Sequence, residues 1–246
     1  MVKPSECNAN KQLPLTLLVS QLIDLATDHA NNLGIGFIKL EAVGLGWVLS
    51  RLSLSMNRWP KNGESYILST WIEQFNSHYS ERCFSVADKE GNVYGYARTV
   101  WMVIDLEKHL SVGTAKLTVN EEVILDLNCP VKRMQKHKSF IPTSISEYTF
   151  QYTDLDFYRH VNTVRYISIL LNCFSLQDFD SHVISHFEIA FAHEARYEET
   201  ATIKSIREKV DNKPLNGEEE SFKTIFEMSV GERQVLSSTL TLTQLG

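Results

Sequence analysis

Positions 154–162 read Asp-Leu-Asp-Phe-Tyr-Arg-His-Val-Asn, so two carboxylates, a phenol, an imidazole and a carboxamide fall within nine residues. Asp156 and His160 are the kind of groups that carry general acid–base work, and Tyr158 and Asn162 can donate to developing negative charge. Such a set is a candidate reaction centre.

Chemistry of that kind needs rigid flanks. Before the cluster, Tyr148, Phe150 and Tyr152 alternate with polar residues, which predicts a half-buried strand over 147–153. After it, Val164, Ile167, Leu171 and Phe174 recur at three- and four-residue spacing, predicting a helix from about Asn162 to Phe174. Asn162 stands at the N-cap, where its side-chain oxygen can accept from the first turn. The free amides and positive dipole end of that turn would hold negative charge, and His160 would face the junction.

The rest of the chain repeats this plan. Leu15, Leu18, Leu22, Ala26, His29 and Leu33 form one helical face over 15–33, stopped by Gly34 and Gly36. Strands are expected at 47–56, 65–74, 79–87 and 92–104, separated by Pro60, Asn62-Gly63 and Asp88-Lys89-Glu90-Gly91. In the second half the strand at 147–153 and its helix precede strands at 182–193, 199–208, 219–230 and 233–243, with a hairpin loop at 212–217. A long helix with an antiparallel sheet, twice in tandem, is an α+β chain with the pattern of a double hot-dog fold. The domains expected are 1–128, a basic linker at 129–145, and 146–246. The linker holds Lys132, Arg133, Lys136 and Lys138, a candidate docking patch for an acidic partner.

With 246 residues, 43% hydrophobic and 22% charged, the composition is that of a globular chain. A net charge of −6 argues against general nucleic-acid binding. No secretory leader and no run long enough for a membrane span is read. Cys7, Cys83, Cys129 and Cys173 are scattered, which fits reduced thiols in a cytoplasmic setting.

Asp156-x-x-x-His160-Val-Asn162 followed by Val164-Arg165-Tyr166 resembles the signature of acyl-ACP thioesterases, the plant and bacterial enzymes that release fatty acids from acyl carrier protein. Glu194-Ala195-Arg196-Tyr197 falls where that family has its Glu-rich motif. Trp47-Val48-Leu49-Ser50-Arg51, Arg58-Trp59-Pro60, Tyr96-Ala97-Arg98 and Val100-Trp101 extend the resemblance through the first half. It implies Asp156, His160 and Glu194 as catalytic residues, no cofactor, and an acyl carrier protein with a phosphopantetheine-linked chain as partner; a homodimer is left open. It also implies that the first half shapes the acyl pocket and the second supplies the chemistry. Two positions depart from the family: Ala195 stands where plant members have a cysteine, and Tyr158 stands at the family's asparagine. Loss of an oxyanion donor typically costs about 10²- to 10³-fold in rate, so the Tyr158 hydroxyl or amides at the Asn162 helix start would have to replace it. General-base catalysis by Glu194 and His160 and covalent catalysis by Asp156 both remain open. A catalytically silent acyl-binding protein and a 3-hydroxyacyl-ACP dehydratase are the alternative functions.

Other residues read as structural. His182 and His186 on one strand would stand about 13 Å apart, too far to share a metal, so no metal is expected. Gly34-Ile-Gly36 lacks the third glycine of a dinucleotide loop. His29 on an apolar helix face is expected to be buried and hydrogen-bonded, Cys173 to sit in the core, and the four tryptophans to be core or to line an acyl tunnel. Strand parity from Val183 to Phe191 puts Glu194 on the face opposite the apolar residues unless a bulge near Ala195 re-aims it.

Overall fold

The computed structural model of the chain describes residues 1–115, 117, 119–135, 139–210 and 221–245. Two compact units divide it, Met1–Met134 and Gln135–Gly246. The predicted loop at 212–217, Lys136 and Lys138 lie outside the described residues.

The first unit is built on α1 (Leu15–Asn32), which Pro14 opens in extended conformation and Gly34 follows at φ 71°. Its buried stripe is Leu15, Leu18, Val19, Leu22, Ala26 and Ala30. The sheet it packs against comprises β1 (Leu45–Met56), β2 (Ile67–Phe75), β3 (Ser80–Ala87) and β4 (Val93–Asp105), in the antiparallel order β2-β3-β4-β1, with β5 (Leu110–Ser111) on β4. These strands closely follow the bounds read from the sequence. A short helix α2 (Phe37–Glu41) was not foreseen. Gly36 opens it because a Cβ there would lie 2.6 Å from the Asn31 Cα, a space only glycine can occupy. The helix and sheet also meet through polar atoms: Tyr66 donates to Gln21 (2.5 Å), and His29 Nδ1 lies 2.5 Å from Arg82 Nη1.

Because Arg82 reaches α1, its neighbour Cys83 must face the other side of the sheet. That side carries a second small core of Trp71, Cys83, Cys129 and Val131, with Tyr96 against it. The chain following Ile124 is strapped along β2: Leu125 N donates to Ile72 O (2.9 Å), and Trp71 Nε1 to Leu127 O (2.9 Å). The basic linker expected at 129–145 therefore begins as a packed segment, with Cys129 and Val131 each 3% exposed. Its anchor is Arg98, which ion-pairs with Glu73 and Glu81 and donates to the carbonyls of Val131 (2.9 Å) and Cys129 (3.2 Å). Arg133 also binds Glu81, with Nε 3.0 Å from both carboxylate oxygens. Alternation from Trp71 puts Glu73 on the face of this network, where it pairs with Arg98.

The second unit contains β6 (Ser144–Thr149), α3 (Thr163–Leu171), α4 (Leu176–Ser181), β7 (His182–Phe191), β8 (Thr200–Lys209), β9 (Ser221–Val230) and β10 (Arg233–Gln244). Its antiparallel order is β7-β10-β9-β8-β6. Two corrections concern the segments around the candidate site. β6 ends at Thr149 rather than 153: Phe150 is fully buried, but Tyr152 turns out to solvent because Asp154 Oδ2 accepts from Gln151 N (2.8 Å) and closes a turn. The helix predicted to reach Phe174 stops at Leu171, so the second helix is not long. Ser175 starts α4 instead, in a capping box with Asp178 (Ser175 N to Asp178 Oδ2 2.8 Å, Asp178 N to Ser175 Oγ 3.2 Å).

Repetition of helix and antiparallel sheet makes this α+β chain a double hot-dog. All four cysteines are free, and Cys173 is exposed rather than core, as the early end of α3 leaves it on the connecting turn. Trp59 and Trp71 are buried; Trp47 and Trp101 are half-buried. Among the described residues no helix is long and apolar enough to cross a membrane.

Candidate active site

The loop from Leu155 to Val161 is a tight closed turn. Its ends pair as an isolated antiparallel bridge, and Asp156 N donates to His160 O (2.8 Å). Inside the turn, Asp156 Oδ1 accepts from the backbone amides of Tyr158 (2.9 Å) and His160 (3.1 Å). Arg159 completes it in the left-handed region at φ 66°. The Asp156 carboxylate thus holds the backbone that carries His160. Tyr158 is half-buried, its ring 4.3 Å from that of exposed Phe157.

From His160 onward the chain pairs with the segment after β7. His160 bridges Arg196, and Val161 N donates to Ala195 O (2.9 Å). Through this pairing His160 Nε2 comes 3.1 Å from Glu194 Oε2. Residues from different places in the sequence are thereby joined in one acid–base pair. With Glu194 accepting from Nε2–H, the imidazole's lone pair resides on Nδ1. Both side chains remain partly accessible, 17% for His160 and 37% for Glu194, so the pair can be reached from solvent.

β7 ends at Phe191, but the chain runs on against β10 with Ala192 N (2.8 Å) and His193 N (3.3 Å) both donating to Val235 O, a bulge-like doubling that interrupts the alternation before Glu194 as the second expectation had it. Three residues fix this segment, of which the sequence had pointed only to Tyr166, within the Val164-Arg165-Tyr166 motif. The Tyr166 hydroxyl, on α3, accepts from Ala195 N (3.0 Å), and burial pushes that phenol's pKa upward. Arg233, at the start of β10, donates to the carbonyl of Glu194 and bonds both oxygens of Glu199 (2.7 and 2.8 Å). Glu199 in turn accepts from Arg196 N (2.8 Å). For Glu199 and Arg233 the only sequence signal was their place at the ends of predicted strands.

Asn162 is the N-cap of α3, its Oδ1 accepting from Val164 N (2.8 Å). Asp154 is buried, with Oδ2 accepting from the Tyr148 hydroxyl (3.0 Å) and the Gln151 amide, and its carbonyl accepts from Asn162 N (2.8 Å). It is a structural brace. His182 and His186 both lie on β7; His186 pairs with Glu188 (3.2 Å). Lys132 is exposed, while Arg133 is held by Glu81 and Glu73.

Matches to known proteins run the length of both units. Residues 1–120 match the acyl-ACP thioesterase N-terminal domain and residues 137–242 the acyl-ACP thioesterase C-terminal domain. The palmitoyl-acyl carrier protein thioesterase of Gossypium hirsutum chloroplasts is 24% identical over 207 residues, 78% of this chain and 50% of that protein. The dodecanoyl-[acyl-carrier-protein] hydrolase of Cinnamomum camphora is 24% identical over 213 residues, 78% of this chain and 54% of its own length. The chain therefore spans about half the length of these curated relatives. Among solved structures, an acyl-ACP thioesterase from Bacteroides thetaiotaomicron is similar with a TM-score of 0.83 at 26% identity, covering 98% of this chain and 94% of that one. The 12:0-ACP thioesterase from Umbellularia californica has a TM-score of 0.80 at 16% identity over 99% and 92% of the chains, a likeness of fold alone. Matched in order by both domains of a single family, the chain belongs to the acyl-ACP thioesterase family.

Proposed function

We propose that this protein hydrolyses fatty acyl-ACP thioesters to free fatty acid and carrier protein, ending chain extension. The observation that carries the reading is the His160–Glu194 pair, 3.1 Å apart on two mutually bridged segments. In this mechanism His160, oriented by Glu194, takes a proton from water as hydroxide attacks the thioester carbonyl carbon. The tetrahedral intermediate then collapses with cleavage of the C–S bond, and the imidazolium returns its proton to the departing phosphopantetheine thiolate. Asp156 is a positioning residue here. Its Oδ1 already accepts two backbone amides, which favours a general-base route over covalent attack by this carboxylate.

Purified protein incubated with acyl-ACP across a range of chain lengths tests this directly. Release of free acid together with carrier thiol supports hydrolysis. Enoyl product without hydrolysis would establish the dehydratase alternative, and retention of intact thioester would establish a silent binder. Tyr158 provides a sharper test of the oxyanion donor. Tyr158→Asn restores the family's residue and should preserve or raise kcat; a loss beyond about tenfold would show a role specific to tyrosine.

The carrier-docking patch first read at Lys132, Arg133, Lys136 and Lys138 is kept as part of this reading, and a separate basic group stands on the second unit, on the segments of the site. Arg159, Arg165 and Arg196 are exposed on the segments that carry His160, α3 and Glu194, and among the described residues none of their side chains is ion-paired. Three open guanidiniums on an acidic chain suit an acidic carrier. Charge reversal at these arginines should raise KM for acyl-ACP at low salt and leave turnover of a small acyl thioester unchanged. Equal effects on both substrates would refute docking. The first unit is assigned the acyl pocket, as the family resemblance implies, and the free thiols support a cytoplasmic setting.

A further inference from the structure

Arg82 lies on β3 and is 4% exposed. Its side of the sheet carries Phe84 and Val86, both fully buried, and its cross-strand neighbours Ile72 and Thr99 are buried as well. A guanidinium in such a place ordinarily has a carboxylate beside it, since an uncompensated buried charge is costly. Among the described residues none lies within ion-pair distance of Arg82. Its Nη1 meets His29 Nδ1 (2.5 Å) and Thr70 Oγ1 (3.3 Å), and Thr70 gives its own proton to Cys83 O (3.0 Å). Its Nε and Nη2 have no acceptor among the described residues.

His29 adds no negative charge. Burial, and then the neighbouring Arg82 cation, lower its pKa and keep it neutral. With Nδ1 turned to Arg82, its ring proton resides on Nε2. The cluster therefore presents donors and one net positive charge. Arg98, across the same strand pair but on the opposite face, forms a contrast: two carboxylates and two carbonyls surround it. One buried arginine is saturated by the fold, and the other is left open.

We propose that Arg82, backed by His29 and Thr70, is a binding site for a carboxylate at the end of an alkyl chain. The forked N–H donors match a planar carboxylate, and Arg82's cross-strand partner Ile72, with Phe84 two residues along the same face, matches hydrocarbon. A strongly hydrated phosphate dianion would lose more on entering this apolar wall. Resting on the assignment of the acyl pocket to the first unit, the proposal allows two sources for that group: the distal carboxylate of an ω-carboxyacyl substrate, or the released fatty acid acting as an inhibitor.

Binding of dodecanoate and of 1-dodecanol to the intact protein, followed by calorimetry, tests the site without requiring turnover. Wild type should favour the acid by at least about tenfold, the scale of one charge-assisted hydrogen bond. Arg82→Met should abolish that preference, and Arg82→Lys should retain part of it. His160→Ala should keep it, which separates this site from the reaction centre. Equal binding of acid and alcohol to wild type, or an undiminished preference in Arg82→Met, would overturn the proposal. Turnover then identifies the source. Selective loss of kcat/KM for ω-carboxydodecanoyl-ACP in Arg82→Met indicates the substrate tail, and selective loss of inhibition by dodecanoate indicates the product. A protein that binds acid through Arg82 yet hydrolyses nothing would sink the hydrolase reading and leave this site standing.

Discussion

Glu194→Gln should lower kcat for acyl-ACP by about 10²- to 10⁴-fold, the usual contribution of a positioned acid–base group, with KM and thermal stability near wild type. The amide keeps the shape of the side chain and can still meet His160 Nε2, but it cannot stabilise the imidazolium that forms as water is deprotonated. Because Glu194 is more than a third exposed and follows the end of β7, little of the fold depends on its charge. His160→Ala should fall by a similar factor. The double variant should be scarcely worse than either single one, since residues acting as a unit are strongly non-additive. Single-turnover release of fatty acid from a pre-bound complex is the deciding measurement. A Glu194→Gln protein retaining more than a tenth of wild-type rate would remove Glu194 from the mechanism.

The expected loss at residue 194 follows from a contact only half legible in the sequence. Asp156 and His160 could be found because the loop that joins them is local, and a turn capped by an aspartate is written in a few consecutive residues. Glu194 could be named from the family resemblance, but its direction could not. Alternation predicts a side chain's face only while the strand lasts, and β7 stops before it. The clamps on that segment, Tyr166 and Arg233, lie 29 and 39 residues from their partners and carry no local pattern. The same limit applies in the first unit. Ser80-Glu81-Arg82-Cys83 looks like a strand with a solvated face, yet all four are buried, because α1 covers one side of β3 and the strap through Cys129 and Val131 covers the other. Periodicity reported the strands well; it could not report that a nominal linker folds back as a cover.

That cover leads to the largest expected loss of stability. Arg98→Met should destabilise the protein by about 3–5 kcal/mol, the cost of breaking a buried ion pair from one side. Glu81 is 1% exposed and Glu73 13%, and removing Arg98 would leave Arg133, whose side chain is 64% exposed, as the only cation paired with them among the described residues. The carbonyls of Cys129 and Val131 would lose their donor at the same time, so the strap itself should loosen. Denaturant titration measures the loss, and proteolysis near residue 131 should become faster. Adding Glu73→Gln and Glu81→Met should recover much of the stability, since it is the stranded charge rather than the missing bond that costs most. Acid provides an independent check. Burial pushes the Glu73 carboxyl upward, but Arg98 and the Cys129 amide outweigh it and hold its pKa below the usual value. A carboxyl whose pKa is lower folded than unfolded stabilises fully above the unfolded value, about 4.3, and loses that contribution as pH falls through the folded one. Wild type should therefore lose stability in that acidic window more steeply than Arg98→Met, in which the group has lost its partner. A variant within about 1 kcal/mol of wild type at neutral pH, with an unchanged acid slope, would mean that the strap is held by apolar packing of Trp71, Cys129 and Val131 alone.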